Sequence, residues 1–342
     1  MPSCTLNPAV SSKRNTKLIP RHLYIISARS TMLLQGRNEV FFISKALLSA
    51  FTLWAILTVV FIATRLTGDP THFLIPAEMP EQQRVELREK LGLNDDIAMQ
   101  YLRYGEALIQ GDFGRSFFSN RPVVDLFFER LPNTLLLTIP AFLLSVIIGL
   151  CGGLWAALRQ NSLLDRTLTT ATVVMQAIPN FVVGISGILI FSLSLRLLPS
   201  GGMGTLRHLI LPVITLALAS SANIAHLVRS SMLEVFAQDY MRYARSKGLS
   251  PAAVVLKHGL RNAVLSVLTI LGLQFGGLVA GAVVTETVFA WPGVGRLVID
   301  AVMKRDFALL QFGILVFSAA IIFANLLVDL AYGLLDPRVR GK

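Results

Sequence analysis

Six long apolar stretches dominate the hydrophobic pattern of this 342-residue chain. Each is long enough for an α-helix to cross the hydrocarbon core of a bilayer, which takes about 20 residues. None alternates apolar and polar positions in segments of about ten residues, as the strands of an outer-membrane β-barrel do. The pattern therefore predicts an all-α polytopic membrane protein with six transmembrane helices. These predicted spans cover residues 43–66, 133–158, 168–195, 208–228, 263–288 and 308–330.

The polar segments between the spans contain further helical patterns. Residues 67–131 place apolar side chains at helical spacing among charges, which predicts two or three short amphipathic helices. Residues 290–307 join a turn at Pro292 and Gly293 to an apolar run. This combination predicts a short interfacial or re-entrant helix between the fifth and sixth spans.

Composition and charge fit a membrane location and predict its orientation. Hydrophobic residues form 54% of the chain, charged residues form 15%, and the mean hydropathy is +0.63. Lys and Arg are concentrated on the side of the N-terminus, with eighteen there and twelve on the opposite side. Because basic loops stay cytoplasmic, we expect both termini inside. The net charge of +11 then reflects topology and contact with lipid, and we expect no nucleic-acid partner.

These predictions divide the chain into a cytoplasmic tail over residues 1–42, a transmembrane domain over 43–335 and a second cytoplasmic tail over 336–342. Within the domain, 67–131 is the periplasmic segment and 229–262 is a cytoplasmic loop. The first 40 residues lack the apolar core of a cleaved signal peptide, so the first span is expected to act as the export signal. Two start sites stay open, Met1 and Met32. The two cysteines, Cys4 and Cys151, provide neither a disulfide framework nor a zinc-site spacing.

The basic loop after the fourth span is the most informative segment. Residues 239–247 place aromatic and small side chains on one helical face. Gly248 permits the positive φ that ends a helix abruptly, and Ser250 before Pro251 is a favourable helix start. We therefore predict two short helices hinged at Lys247 and Gly248. A rigid helix of this kind can seat in a groove of a soluble subunit and transmit motion into the fifth span.

No motif in the sequence supplies energy to such a movement. The phosphate-binding pattern GxxxxGK[ST] is absent, and so are GxGxxG, HExxH and CxxC. We therefore expect no catalytic residue, metal site or cofactor in this chain. Energy must come from a partner or from an ion gradient, if it is used at all.

Rare polar groups and paired glycines mark candidate positions along a pathway through the membrane. A polar side chain at membrane depth usually faces a partner or a wet cavity, and glycines spaced four apart let helices approach closely. For the glycines the main alternative is ordinary helix packing, and for the acidic residue that ends the fifth span it is interfacial placement. The candidate pathway or gate residues are Asn223, Gln274, Gly276, Gly277, Glu286 and Asn325.

Several segments together carry a specific resemblance to a known family. They include GDFGRSF at 111–117, DYMRYARSKGLS at 239–250 and KHGLRNAVLSVLTILGLQFGGLVAGAVVTETVFAWPGVGRLVIDAV at 257–302. The chain resembles a permease subunit of bacterial binding-protein-dependent ABC importers, in particular the first permease of the dipeptide, oligopeptide and nickel family. The resemblance implies a type I ABC importer permease fold, a place in the inner membrane and transport of di- or oligopeptides.

The resemblance also implies partners and a docking role for the basic loop. In this family a short cytoplasmic helix with an "EAA" motif docks into a cleft of an ATP-binding subunit. Two of the three motif letters differ here, where the sequence reads Tyr-Ala-Arg. The implied partners are a second homologous permease, a periplasmic solute-binding protein and two ATP-binding subunits that hold ATP and Mg. The residues expected to couple to the ATPase are Tyr240, Tyr243, Ala244, Arg245, Gly248, Leu249, Arg261 and Asn262.

Two other classes of function are alternatives to this one. An ion-coupled secondary transporter would need a pair of buried carboxylates and would leave the basic loop unexplained. A rhomboid-like intramembrane protease is suggested by the GxSG pattern around Ser186. Such an enzyme needs a histidine to activate the serine, and His226 on the next span is the one candidate.

Overall fold

The structure, a computed structural model, describes residues 21–66, 85, 88–89 and 93–335. Over these residues the chain is helical, with one isolated antiparallel bridge between Arg115 and Pro122. The helices are α1 (Arg21–Leu66), α2 (Ile97–Ile109), α3 (Val123–Leu158), α4 (Leu163–Ala177), α5 (Asn180–Gly187), α6 (Leu206–Phe236), α7 (Asp239–Ser246), α8 (Pro251–Ala253), α9 (Arg261–Val288), α10 (Val294–Lys304) and α11 (Phe307–Leu335). We call the end of the bundle nearest α7 the inner end, following the predicted orientation.

Four helices of the described part are long and apolar enough to cross a membrane. They correspond to the first, second, fourth and sixth predicted spans and cover Ser44–Leu66, Val123–Leu158, Leu206–Phe236 and Phe307–Leu330. The fifth predicted span falls in α9, whose segment Gly276–Val288 forms a shorter apolar stretch. The all-α membrane architecture is confirmed, whereas the count of six spans stays a prediction.

The third predicted span is broken into two helices. α4 and α5 meet at a bend of 100°, so the prediction of one helix over 168–195 is wrong. The break lies at Ile178, whose backbone is extended at φ −86° and ψ 122°. The following Pro179 causes this, because its ring disfavours helical geometry at the residue before it. Beyond α5 the chain continues in wide π-helical turns over Ile188–Ser194.

Glycines hold α3 directly against α6 at the centre of the bundle. A Cβ atom added at Gly153 would lie 2.5 Å from the carbonyl oxygen of Ala225, and one at Gly149 would lie 2.6 Å from Cβ of Ile224. Real Cβ atoms do not approach so closely, so both positions require glycine. Glycines at these two positions thus allow the close approach of two helix backbones.

At the outer end, α10 packs on the start of α3 and the start of α11. This confirms the short helix predicted within 290–307. The buried residues of this outer cluster are Val123, Phe127, Val294, Val298, Ala301, Leu309 and Phe312. Of the helices predicted in the periplasmic segment, α2 is present beside α1, where the hydroxyls of Tyr101 and Thr58 are 2.6 Å apart. Residues 67–84 lie outside the described part.

Candidate functional site

The helix α7 has one buried face and one exposed face. Met241 is fully buried and Ala244 is 4% exposed, and both belong to a small apolar cluster with Val254. Tyr243, on the outward side of α7, is 62% exposed, and Tyr240, one turn before Ala244, is 40% exposed. The cluster therefore fixes α7 to the bundle while an aromatic surface stays available to a partner.

A left-handed residue ends α7 where the sequence predicts a hinge. Gly248 has φ +73°, and a Cβ atom added there would meet nothing within 4 Å. The requirement for glycine is therefore conformational rather than steric. The Nζ atom of Lys247 lies 4.6 Å from the centre of the Tyr243 ring, a cation–π contact. Arg245 and Leu249 are exposed beside them.

The second predicted short helix is not separate from the fifth span. α8 continues through π-helical turns over Val254–Leu260 directly into α9. Leu260, at the junction, keeps helical angles of φ −63° and ψ −38°. The hinge at Gly248 is thus followed by one continuous helical segment that reaches the outer end of the bundle. Arg261 and Asn262 begin α9, but their side chains lie outside the described part, so their coupling role stays a prediction.

Part of the predicted pathway set comes together between α6 and α9. The Gln274 side-chain amide approaches the Ser220 carbonyl oxygen at 3.5 Å, and Asn223 lies one turn further along α6. Gly277 is exposed, and a Cβ atom added there would lie 3.5 Å from Oε1 of Gln274, one turn earlier in α9. Of these residues, Gln274 is the one that contacts the neighbouring helix, at Ser220 of α6.

The other predicted pathway residues lie elsewhere. Gly276 faces Ile321 of α11, with 3.8 Å between that side chain and an added Cβ, so it packs between two helices. Asn325 is exposed on α11. Glu286 is fully buried at the outer end of α9, where its carboxylate accepts a hydrogen bond from the Thr134 hydroxyl at 2.7 Å. The pathway role and the interfacial placement of Glu286 both stay predictions.

An ion pair between residues distant in sequence, which no local pattern predicted, joins α4 to α6 at the inner end. Asp165 at the start of α4 binds Arg229 of α6 through both carboxylate oxygens, at 2.6 and 2.8 Å. Beside it a cavity of about 270 Å³ opens between α3, α4 and α6. Apolar side chains form most of its lining, together with His226 and Arg229. The signal in the sequence was an acidic and a basic residue at the ends of adjacent predicted spans, but nothing local pairs them.

The serine and histidine of the protease hypothesis are not brought together. Ser186 lines a different cavity, between α5 and α6, from the one that His226 lines. A serine nucleophile needs its base within hydrogen-bonding distance. Their placement in separate cavities gives no support to proteolysis.

Comparisons with known proteins agree with this architecture. The glutathione transport system permease protein GsiC of Escherichia coli (strain K12) is 42% identical over 292 residues, which cover 85% of this chain and 95% of that protein. The probable peptide ABC transporter permease protein y4tP of Sinorhizobium fredii is 38% identical over 309 residues, 87% of this chain and 99% of that protein. Among solved structures, the MetNI methionine ABC transporter in inward-facing conformations matches with a TM-score of 0.56 at 17% identity, over 63% of this chain and 98% of the matched chain.

The last similarity shows the fold alone, which is that of a type I ABC importer permease. The family model described as "Binding-protein-dependent transport system inner membrane component" matches residues 149–341, more than half of the chain. That region contains α7, the hinge at Gly248 and all of α9. The chain belongs to the binding-protein-dependent transport system inner membrane components.

Proposed function

We propose that this protein is the translocation subunit of an ATP-driven importer that moves di- and oligopeptides across the inner membrane. Its partners are a second homologous permease, two ATP-binding subunits and a periplasmic solute-binding protein. ATP and Mg²⁺ are held by the ATP-binding subunits, so this chain is non-catalytic and binds no cofactor of its own.

The observation that carries the proposal is the two-faced helix α7 and its connection to α9. An exposed aromatic face is suited to a groove on a soluble subunit, because buried aromatic anchors dominate such interfaces. The opposite face is fixed by Met241 and Ala244, so a push on α7 reaches the bundle. Gly248 then joins α7 to one helical segment that spans the molecule.

Transport follows if the two states of the ATP-binding subunits contact α7 differently. A partner can shift a conformational equilibrium only by its differential affinity for the two states. ATP-driven closure of the paired ATP-binding subunits moves the two α7 helices of the permease pair. The permeases then alternate between inward and outward openings, and substrate enters from the solute-binding protein.

Peptide is the substrate class that the named relatives share. One is named for peptide and the other for glutathione, which is itself a tripeptide. The solute-binding protein that serves this permease selects much of the cargo, and calorimetric titration of that protein tests the assignment. We expect binding of dipeptides, longer peptides or glutathione. Binding of a nickel chelate or a sugar, with no binding of any peptide, would contradict it.

Replacement of Gly248 by valine tests the coupling. A β-branched residue is strongly disfavoured at φ +73°, so the hinge must adopt another geometry. We expect the assembled transporter to keep hydrolysing ATP while peptide uptake per ATP falls steeply. The matched control is Gly105→Ala in α2, another glycine with open space around it but without a positive φ.

Two results would count against the proposed function. Coupled uptake at the wild-type ratio in Gly248→Val would remove the role of the hinge. Wild-type uptake that survives ATP depletion and collapses with the proton gradient would favour the ion-coupled transporter instead.

A further inference from the structure

A fully buried acid at the outer end of α9 joins three helices. Glu286 accepts hydrogen bonds from the Thr134 hydroxyl of α3 at 2.7 Å and from the backbone N–H of Arg296 in α10 at 3.0 Å. The turn that follows α9 closes tightly around this carboxylate, since a Cβ atom added at Gly293 would lie 2.2 Å from Oε1. The side chain is 0% exposed, so its acceptors are satisfied by protein groups alone.

These contacts cap the N-terminal end of α10 with side chains from two other helices. The first N–H groups of a helix lack partners within the helix and carry its positive dipole end. The Thr134 hydroxyl accepts a hydrogen bond from the N–H of Val294 at 2.8 Å. The Glu286 carboxylate accepts one from the N–H of Arg296, two residues later. A carboxylate is the favoured partner at this end. α10 is therefore oriented by α3 and α9 rather than by a cap of its own.

The neighbouring turn strengthens the same junction. The indole N–H of Trp291 donates to the Asn133 carbonyl oxygen at 2.9 Å, and the Asn133 amide donates to the Pro292 carbonyl oxygen at 2.9 Å. α10 in turn packs on α11 in the outer cluster. A displacement of the outer end of α9 is thus transferred to α10 and to the outer face.

We propose that Glu286 is the positioning residue through which α9 carries α10 and the outer face when α7 moves at the inner end. This inference rests on the proposed function. It gives Glu286 no contact with substrate. Its role is to couple two conformations. When the ATP-binding subunits change state, the outer face, where the solute-binding protein docks, changes with them.

The test uses the complete transporter in lipid vesicles and compares ATP hydrolysis with and without the peptide-loaded solute-binding protein. Glu286→Gln keeps the size of the side chain but replaces one of its two acceptor oxygens by an NH₂ group, so the amide cannot accept from the Thr134 hydroxyl and the Arg296 N–H through separate oxygens. We expect the ratio of stimulated to basal hydrolysis to fall by about fivefold or more, the usual scale of coupling between distant sites. Because the readout is a ratio for each assembled complex, loss of folded protein alone does not change it.

The matched control is Asp306→Asn. Asp306 is a carboxylate of the same outer face and is 2% exposed. In the described part of the chain, its carboxylate accepts hydrogen bonds from the Ser116 hydroxyl at 2.5 Å and from the backbone N–H groups of Phe117 at 3.3 Å and Leu309 at 3.4 Å. None of these three donors lies in α9. We expect this variant to lose thermal stability and to keep the wild-type ratio. An equal fall of the ratio in both variants, or no fall in Glu286→Gln, would overturn the proposal.

Thr134→Val provides a second variant if Glu286→Gln does not assemble. It removes the hydroxyl that donates to Glu286 and accepts from Val294, and it should lower the same ratio. An unchanged ratio there would overturn the proposal. A wild-type complex that the loaded solute-binding protein fails to stimulate would overturn the proposed function itself, and this inference with it.

Discussion

Asp165 and Arg229 form a two-point ion pair that ties the inner end of α4 to α6. The Nε and Nη2 atoms of Arg229 donate to the two carboxylate oxygens at 2.6 and 2.8 Å, and the Asp165 side chain is only 3% exposed. The same carboxylate accepts the backbone N–H of Asn161 at 2.9 Å. One acid therefore fixes the turn between α3 and α4 and joins it to α6, the helix that leads into α7.

Removal of Arg229 should destabilise the bundle. Arg229→Ala leaves the Asp165 carboxylate buried without its ionic partner, a change that costs about 3–5 kcal/mol at fully buried pairs. Arg229 is 23% exposed, so water can replace part of the lost interaction and we expect the lower end of that scale. Arg229→Lys should recover only part, because an ammonium group cannot reproduce the planar fork. Thermal unfolding of the purified protein measures both effects.

Arg166→Ala is the control for this prediction. Arg166 follows Asp165 directly in sequence but is exposed. Its loss removes the same charge from the same end of the bundle and should leave the melting temperature close to that of the wild type. If both alanine variants melted alike, the ion pair would contribute nothing beyond net charge.

Adjacent glycines of α3 should differ sharply in their tolerance of alanine. A Cβ atom at Gly153 meets the backbone oxygen of Ala225 at 2.5 Å, whereas one at Gly152 stays 4.0 Å from the Ala225 side chain. Gly153→Ala must push α3 from α6, and overpacking of this kind costs about 1–3 kcal/mol. Gly152→Ala fits without displacement and gains helix propensity, up to about 1 kcal/mol. Melting temperatures in detergent should therefore move in opposite directions, and equal shifts would contradict the packing geometry.

The apolar pattern predicted where helices lie but not how they join. The length of an apolar stretch identifies a membrane-crossing helix without tertiary information. The bend between α4 and α5 depends on what each half packs against, so Pro179 alone predicts a break but not its 100° angle. In the same way, Ser250 and Pro251 predicted a helix start. Local signals could not tell that the new helix would run on through Val254–Leu260 into α9.

Functional residues were predictable only where their partners are close in sequence. The positive φ at Gly248 follows from its own backbone requirement and is confirmed, whereas its coupling role stays a prediction. Ala244 was expected at the docking face, but it packs against Val254, and an eight-residue helix reveals its buried side only once that neighbour is known. Glu286 contacts Thr134, 152 residues away, so no local pattern indicates that its side chain is buried.

The two faces of α7 should separate docking from stability. Tyr243→Ala removes an exposed ring, so it should leave the melting temperature of this chain nearly unchanged and weaken its binding to the ATP-binding subunit. Aromatic anchors at such interfaces commonly contribute 2 kcal/mol or more, roughly a 30-fold change in dissociation constant. Met241→Ala should do the reverse, because it empties a fully buried site and costs about 2–5 kcal/mol of stability.

Each variant is the control for the other, since the two residues lie in the same helix and both lose a large side chain. Binding is measured by co-purification and titration of the ATP-binding subunit with the permease pair in nanodiscs, and stability by thermal unfolding of the same samples. Loss of stability in Tyr243→Ala without loss of binding would mean that the exposed ring packs within the bundle. That result would leave α7 without its docking face. The movement that α9 is proposed to transmit would then have to be imposed by the ATP-binding subunits at another part of the molecule.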